Sequence, residues 1–346
     1  MRTFKIAKHC AEYADDIAYA AGVAGGGALK GSHVVITGAG GLMGVTLTDT
    51  LLEAGCRVTA VVRNAGRLGG RLDDHLGDPA FDVVEQDATA PLPDGLRPDY
   101  IIPLASNTHP LAYSEHPVET MMTNIMGAKW ALEKSRATGA MVIYPSSVEI
   151  YGNARGNDTF TEDYTGQLNL GTARSCYNES KRSCEAMCQS YAKEYGVRVR
   201  IARLSRIFGP TMLASDTKAS SQFILKALAG EDIVMKSNGE QLYSYTYSAD
   251  AAAAMLHIML NGEDGEAYNV CSRKTNVRLR DFAEACAEIC GRRVVFDIPS
   301  EAEAAGYSKA TVAIMDGSKL EARGFAPRYE MRDAIDRTIK VLRESV

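Results

Sequence analysis

Val34-Val35-Ile36-Thr37-Gly38-Ala39-Gly40-Gly41-Leu42-Met43-Gly44 runs from a β-branched stretch directly into a glycine-rich turn that opens a helical segment. A strand, a tight glycine turn and a helix start, in that order, form a seat for the diphosphate of a dinucleotide. In that arrangement Gly38 permits the turn, Gly41 allows close backbone approach and Gly44 lets helix pack on strand. Leu42 and Met43 fall at the helix N-terminus, whose free N–H groups face the phosphates. Taken alone the pattern is weak, because a glycine-rich turn can be nothing more than a tight loop.

Outward from this turn, short apolar runs alternate with amphipathic segments. Strands are expected at 34–37, 57–62, 81–85, 100–104, 141–145 and 197–204, and helices at 44–54, 117–138 and 176–195. Continuous β-branched runs between helices indicate strands buried on both faces, the signature of a parallel sheet. The fold class is therefore α/β, a Rossmann-type doubly wound parallel sheet. After Gly209-Pro210 the texture changes: helices are expected at 220–230, 249–260, 279–290 and 330–343, with strands at 233–235, 293–298 and 311–315. The expected domains are an N-terminal helical extension (1–30), a dinucleotide-binding domain (31–210) and a smaller, interleaved substrate-binding lobe (211–346), with 249–260 returning to the first domain. In the extension, Ile6, Cys10, Tyr13 and Ile17 recur at helical spacing while Asp15 and Asp16 interrupt any apolar run. That is an amphipathic helix packed on the main domain, neither a signal peptide nor a membrane span.

The 346 residues are 46% hydrophobic and 23% charged, ordinary for a globular protein with a substantial core. A net charge of -5 argues against an electrostatic grip on nucleic acid or on a membrane surface. Eight scattered cysteines without a secretory signal fit a reduced cytoplasm. Cys184 and Cys188, and likewise Cys286 and Cys290, are four apart on expected helices, a spacing that could clamp a metal. No Cys-x2-Cys or histidine partner accompanies them, so they read as core residues and no metal is expected.

Chemistry-bearing residues follow the turn in order. At the end of the second strand an acid would accept from a free 2′-hydroxyl, but the chain has Arg63, with Arg67 nearby. A guanidinium suits a 2′-phosphate, which places NADP ahead of NAD, while a solvated loop arginine is the plainer alternative. Asp87, just past the third strand, is positioned to bond the adenine amine. Tyr177-Asn178-Glu179-Ser180-Lys181 then sets a phenol and an ammonium one helical turn apart on one face. A phenol, with a reference pKa of about 10, is a poor base at neutral pH and needs that neighbouring cation to act as one. Ser147, between the turn and this pair, could bond the hydroxyl being oxidised.

These stretches, with Leu104-Ala105-Ser106, Thr123-Asn124, Ser146-Ser147-Val148-Glu149-Ile150-Tyr151-Gly152 and Phe208-Gly209-Pro210, resemble the extended short-chain dehydrogenase/reductases of the nucleotide-sugar epimerase, dehydratase and decarboxylase group. The resemblance covers roughly residues 30 to 340. The run from Ala173 to Arg182 is especially similar to UDP-glucuronate decarboxylases. It implies a tightly held NAD(P), a nucleotide-sugar or similar phosphorylated polyol as substrate, and oxidation of the C4 hydroxyl to a transient ketone. Catalytic roles fall to Ser147, Tyr177, Lys181 and Glu149, the last as a second acid/base or as the group orienting C5 or C6. Leu104, Ala105, Ser106 and Asn124 join the cofactor set, and Thr108 the substrate set. A homodimer is implied through the helices at 117–138 and 176–195.

Departures narrow this. Val148-Glu149 stands where 4,6-dehydratases carry Asp-Glu, which removes the acid for the departing 6-hydroxyl. Arg206 replaces an asparagine, and Tyr243 replaces the arginine that holds the sugar nucleotide. Arg206 could take over that charge, or it could be a structural arginine pairing with Glu149 or Asp250. Rival functions are a net reductase of a non-sugar carbonyl and a non-catalytic nicotinamide-binding regulator; the Ser147, Tyr177 and Lys181 set speaks against the regulator.

Overall fold

The computed structural model describes residues 6, 8–25, 27–68, 70–108, 110–156, 158–298 and 312–345. Their strands are β1 His33–Thr37, β2 Arg57–Val62, β3 Phe81–Glu85, β4 Tyr100–Pro103, β5 Met141–Ser147, β6 Thr159–Phe160, β7 Val199–Leu204, β8 Arg206–Phe208, β9 Ile233–Met235, β10 Leu242–Tyr247, β11 Ala267–Val270, β12 Asn276–Arg278, β13 Val294–Phe296 and β14 Val312–Met315. The helices are α1 Ala11–Gly22, α2 Leu42–Glu53, α3 Pro110–Glu115, α4 Pro117–Thr138, α5 Cys176–Tyr195, α6 Ala219–Leu228, α7 Ser248–Asn261, α8 Leu279–Ile289, α9 Ser318–Glu321 and α10 Met331–Glu344.

Seven strands form one parallel sheet in the order β11-β7-β5-β4-β1-β2-β3. Every residue of β1 and β5 is buried, as their unbroken apolar runs require of strands covered on both faces. From β1 the chain first builds outward to β2 and β3, then crosses to β4 on the other flank. Where the order reverses, the carboxyl ends of β1 and β4 open a crevice, the usual ligand seat of such sheets.

The sheet extends one strand beyond the expectation. β11, contributed by the chain after α7, pairs with β7. Its four residues Ala267–Val270 include Asn269, whose buried side chain accepts from Tyr151 Oη at 2.6 Å and donates to the Phe160 and Asp316 carbonyls. A polar residue in so short a run hides the strand pattern. The alanine-rich α7 packs on β5, β7 and β11 and on α1 and α2. Ala251 to Ala254 are fully buried, their small side chains letting the helix lie close to its neighbours.

α1 is fastened to the body by buried polar contacts as well as by Tyr13, Ile17 and Ala20. Asp16 accepts from Tyr247 Oη at 2.5 Å, Tyr329 Oη at 2.6 Å and Arg337 Nε at 2.8 Å. A buried carboxylate is tolerable only when so surrounded. The second layer carries β8, β10, β12, β14 and β6, with Phe208, Phe223, Tyr245, Tyr247 and Phe282 at the heart of its core. Cys184 and Cys188 lie in the apolar core of the seven-stranded sheet, and Cys286 in that of the second layer.

Candidate active site

At the end of β1, Gly38 turns the chain at φ +70°, a conformation that L side chains rarely adopt. A Cβ there would stand 2.7 Å from Ala105 Cα, because the chain leaving β4 passes directly over the turn. A Cβ on Gly44 would meet the Gly38 carbonyl oxygen at 2.4 Å. The turn therefore has the compactness that a diphosphate cradle needs. Gly41 is the N-cap of α2 and supplies no side-chain cap, so the first N–H groups of the helix, at Leu42, Met43 and Gly44, present positive dipole ends to the crevice. These features fit a dinucleotide.

The crevice is a cleft of about 1020 Å³, at the top of the range of about 300–1,000 Å³ for small-molecule sites. Its cofactor-side wall holds the glycine turn with Leu42 and Met43, then Arg63, Asp87, Leu104, Ala105 and Ser106. The opposite wall holds Thr108, Ser147, Glu149, Tyr177, Lys181, Arg206 and Tyr243. Arg63 Nη1 donates to Glu119 at 2.9 Å, and Asp87 accepts from the Thr89 N–H and hydroxyl. The Arg67 side chain lies outside the described residues.

Asn124 is the expected cofactor residue that the structure places elsewhere. It is 3% exposed on the face of α4 that meets α5, and its Nδ2 donates to Ser180 Oγ at 2.8 Å. The side chain bridges two packed helices, and its neighbour Thr123 lines the cleft instead.

Tyr177 and Lys181 are both buried on α5 beneath the cleft. Burial lifts the Tyr177 phenol well above its ordinary pKa, and a hydrogen bond with Ser147 pulls it part of the way back. Burial also pushes Lys181 down, to about 8. Lys181 Nζ donates to the Pro145 carbonyl at 2.8 Å and stands 5.9 Å from the Tyr177 ring centroid. That backbone bond fixes the ammonium next to the ring whose phenolate it would stabilise.

Glu149 is held in the 3-10 turn that follows β5. Asn178 Nδ2 donates to its carbonyl oxygen at 2.8 Å and to Oε2 at 3.1 Å, and Arg174 Nη2 donates to Oε2 at 3.4 Å. Arg206 Nη2 lies 3.6 Å from the other carboxylate oxygen, and its guanidinium stacks 3.7 Å from the Tyr243 ring centroid. Of the two acids considered as partners for Arg206, Glu149 is the one reached; Asp250 instead accepts from Tyr19 Oη and the N–H groups of Arg328 and Tyr329. Arg206 Nη1 is buried with no hydrogen-bond partner among the described residues.

Among the charged and aromatic residues of this cleft that sequence reasoning missed are Arg174, Tyr113, Lys218 and Arg71. Arg174 lies inside the run similar to the decarboxylases, but an arginine among polar residues gives no sign that it will reach Glu149 and stack over Tyr113 at 4.3 Å. Tyr113, Lys218 and Arg71 also line the cleft, each from a stretch without a recognisable motif.

Comparison with known proteins agrees with this geometry. The model of the NAD dependent epimerase/dehydratase family matches residues 34–271. UDP-glucuronic acid decarboxylase 1 of Xenopus tropicalis is 34% identical over 227 residues, covering 66% of this chain and 53% of that protein. UDP-glucuronic acid decarboxylase 6 of Arabidopsis thaliana is 32% identical over 236 residues, 67% of each chain. The chain thus spans about half the length of the first relative. Among solved structures, UDP-glucose 4-epimerase from Thermotoga maritima with UDP-glucose superposes with a TM-score of 0.77 at 22% identity, over 90% of this chain and 99% of that one. The dTDP-glucose 4,6-dehydratase of Streptomyces venezuelae, with NAD and TYD bound, gives 0.76 at 21% identity over 90% and 97%. Both carry the same fold. With the family pattern extending over more than half of its length and its glycine turn, Tyr177 and Lys181 gathered in one cleft, the chain belongs to the NAD dependent epimerase/dehydratase family.

Proposed function

We propose that the chain is a nucleotide-sugar enzyme that oxidises a ring hydroxyl, at C4, to a transient ketone and regenerates its cofactor within the same turnover. The observation that carries this reading is the convergence of Ser147, Tyr177 and Lys181 on the cleft that the glycine turn opens. The start of α2 would hold the diphosphate, Asp87 the adenine and Lys181 the nicotinamide ribose. When bound, the nicotinamide supplies a hydride acceptor and, in reverse, a donor.

Tyr177 Oη takes the proton of the hydroxyl, and Ser147 bonds the same oxygen and keeps it directed at the phenol. Burial favours neutral phenol and weakens the ammonium, so proton uptake by Tyr177 depends on added positive charge beside it. A C4 ketone acidifies the adjacent C–H bond and labilises a β-carboxylate. Epimerisation and decarboxylation both follow from that intermediate, and Glu149, reaching the cleft beside Arg174 and Arg206, is the second acid/base or the group that orients C5 and C6. Val148 in place of the dehydratases' aspartate weighs against loss of the 6-hydroxyl.

Arg63 supports a preference for NADP over NAD. Its partner Glu119 is half exposed, and a guanidinium with five donors can serve a 2′-phosphate beside it. Arg63→Ala is expected to weaken NADP by roughly tenfold and leave NAD within about twofold, the loss of one exposed charge-assisted contact. Wild-type protein that binds NAD more tightly, with neither affinity moved by the substitution, contradicts the preference.

A homodimer through α4 and α5 is proposed, supported by the exposed apolar Val118 and Met122 of α4. The free cysteines support a reducing, cytoplasmic setting. No helix of the described residues is long and apolar enough to cross a membrane. Mass spectrometry of ligands released from the denatured protein tests the overall reading: NAD(P) and a nucleotide sugar are expected, and a non-sugar carbonyl compound in their place points to a net reductase.

A further inference from the structure

Arg71 is 2% exposed and lines the cleft behind the glycine turn. Its Nε donates to the Gly40 carbonyl at 2.9 Å and its Nη2 to the Thr211 carbonyl at 2.5 Å. Neither acceptor carries a charge. Among the described residues it forms no ion pair, and nearby Asp49 is already engaged by Tyr13 at 2.5 Å, Lys8 at 2.9 Å and His75 at 2.5 Å. Burial accordingly draws the guanidinium down to about 10. A buried cation without a counter-charge is unfavourable unless an anion completes it. The wall it occupies adjoins the uncapped start of α2, itself an electropositive end.

We propose that Arg71 is a positioning and charge residue for the dinucleotide's diphosphate. It occupies the Gly40 carbonyl, an acceptor that would otherwise repel phosphate oxygens, and adds a fixed positive charge behind the helix start. This rests on the reading of the cleft as a dinucleotide site. A purely structural arginine, tying the turn to the segment around Thr211, would make the same two bonds but would not distinguish ligands by their phosphates.

Titration calorimetry of the full chain, stripped of ligand, with ADP-ribose and with adenosine separates the two roles. Arg71→Met is expected to weaken ADP-ribose by at least about tenfold and adenosine by no more than about twofold, and Arg71→Lys to keep ADP-ribose within about threefold of wild type. An Arg71→Met protein that binds ADP-ribose normally, or loses both ligands equally, overturns the proposal. If the Met variant does not fold, Arg71→Gln decides by the same contrast: a loss of about tenfold or more for ADP-ribose with adenosine unchanged supports it, and ADP-ribose affinity near wild type or an equal loss of both ligands overturns it. A folded wild-type chain that binds neither ligand removes the cofactor reading itself, and the role of Arg71 with it.

Discussion

Tyr177→Phe is expected to lower kcat by about 10²- to 10⁴-fold, the usual contribution of a positioned acid/base, while the dissociation constant of the cofactor stays within about threefold. The phenol makes few demands on the fold. Its ring packs near Tyr113, 5.7 Å between centroids, and phenylalanine keeps that contact. What is lost is the oxygen bonded to Ser147, so melting is little changed and the defect appears in turnover. Lys181→Ala should weaken both turnover and cofactor binding, because under the proposed function the ammonium would also hold the nicotinamide ribose. Single-turnover absorbance at the reduced-nicotinamide band separates the two effects. A Tyr177→Phe enzyme that retains most of its activity is incompatible with a tyrosine base in this chain.

Arg206→Ala is expected to raise the KM for a nucleotide sugar by roughly 10- to 100-fold, the range for a charge-assisted bond to a buried anion, with kcat changed much less. The cost to the fold is small by the same geometry. Stacking on Tyr243 contributes about 0.5–1 kcal/mol, and a partly exposed pair at 3.6 Å to Glu149 contributes less than about 1 kcal/mol. The melting temperature should therefore fall by only a few degrees. Arg206 Nη1, buried and without a partner among the described residues, is a donor that a ligand oxygen would satisfy. Stacking also alters what Tyr243→Arg would do. A second guanidinium there meets Arg206 face to face, so the substitution restores an arginine at the expected position but repels the one present. Early melting of Arg206→Ala combined with normal nucleotide-sugar binding identifies a structural residue and moves the diphosphate elsewhere.

The contrast between the two walls of the cleft shows what the sequence made legible. The cofactor wall is built from consecutive residues at strand ends, where a β-branched run followed by Gly38 to Gly44 announces itself. Tyr177 and Lys181 are one turn apart on one helix, and that spacing survives in any context. The substrate wall depends on registers between strands. Arg206 faces Tyr245 across the parallel pair β8 and β10, which brings Tyr243 within stacking distance from 37 residues along the chain; no local periodicity encodes that. Asn124 shows the opposite hazard, since it lies in a stretch that resembles the family, yet its place on the α5-facing side of α4 turns the amide to Ser180. Arg71 carries no motif at all, and only burial without an ion pair among the described residues singles it out.

Transient oxidation at C4 with internal return of the hydride is tested most directly by incubating the protein with NAD(P) and UDP-glucuronate or a UDP-hexose deuterated at C4. The product is then analysed by mass spectrometry while the reduced-nicotinamide band is followed. The account predicts a product that retains the deuterium at C4, with no reduced cofactor accumulating. Deuterium recovered in stoichiometric free NAD(P)D, or no turnover of any nucleotide sugar by a chain that binds both ligands, would contradict it.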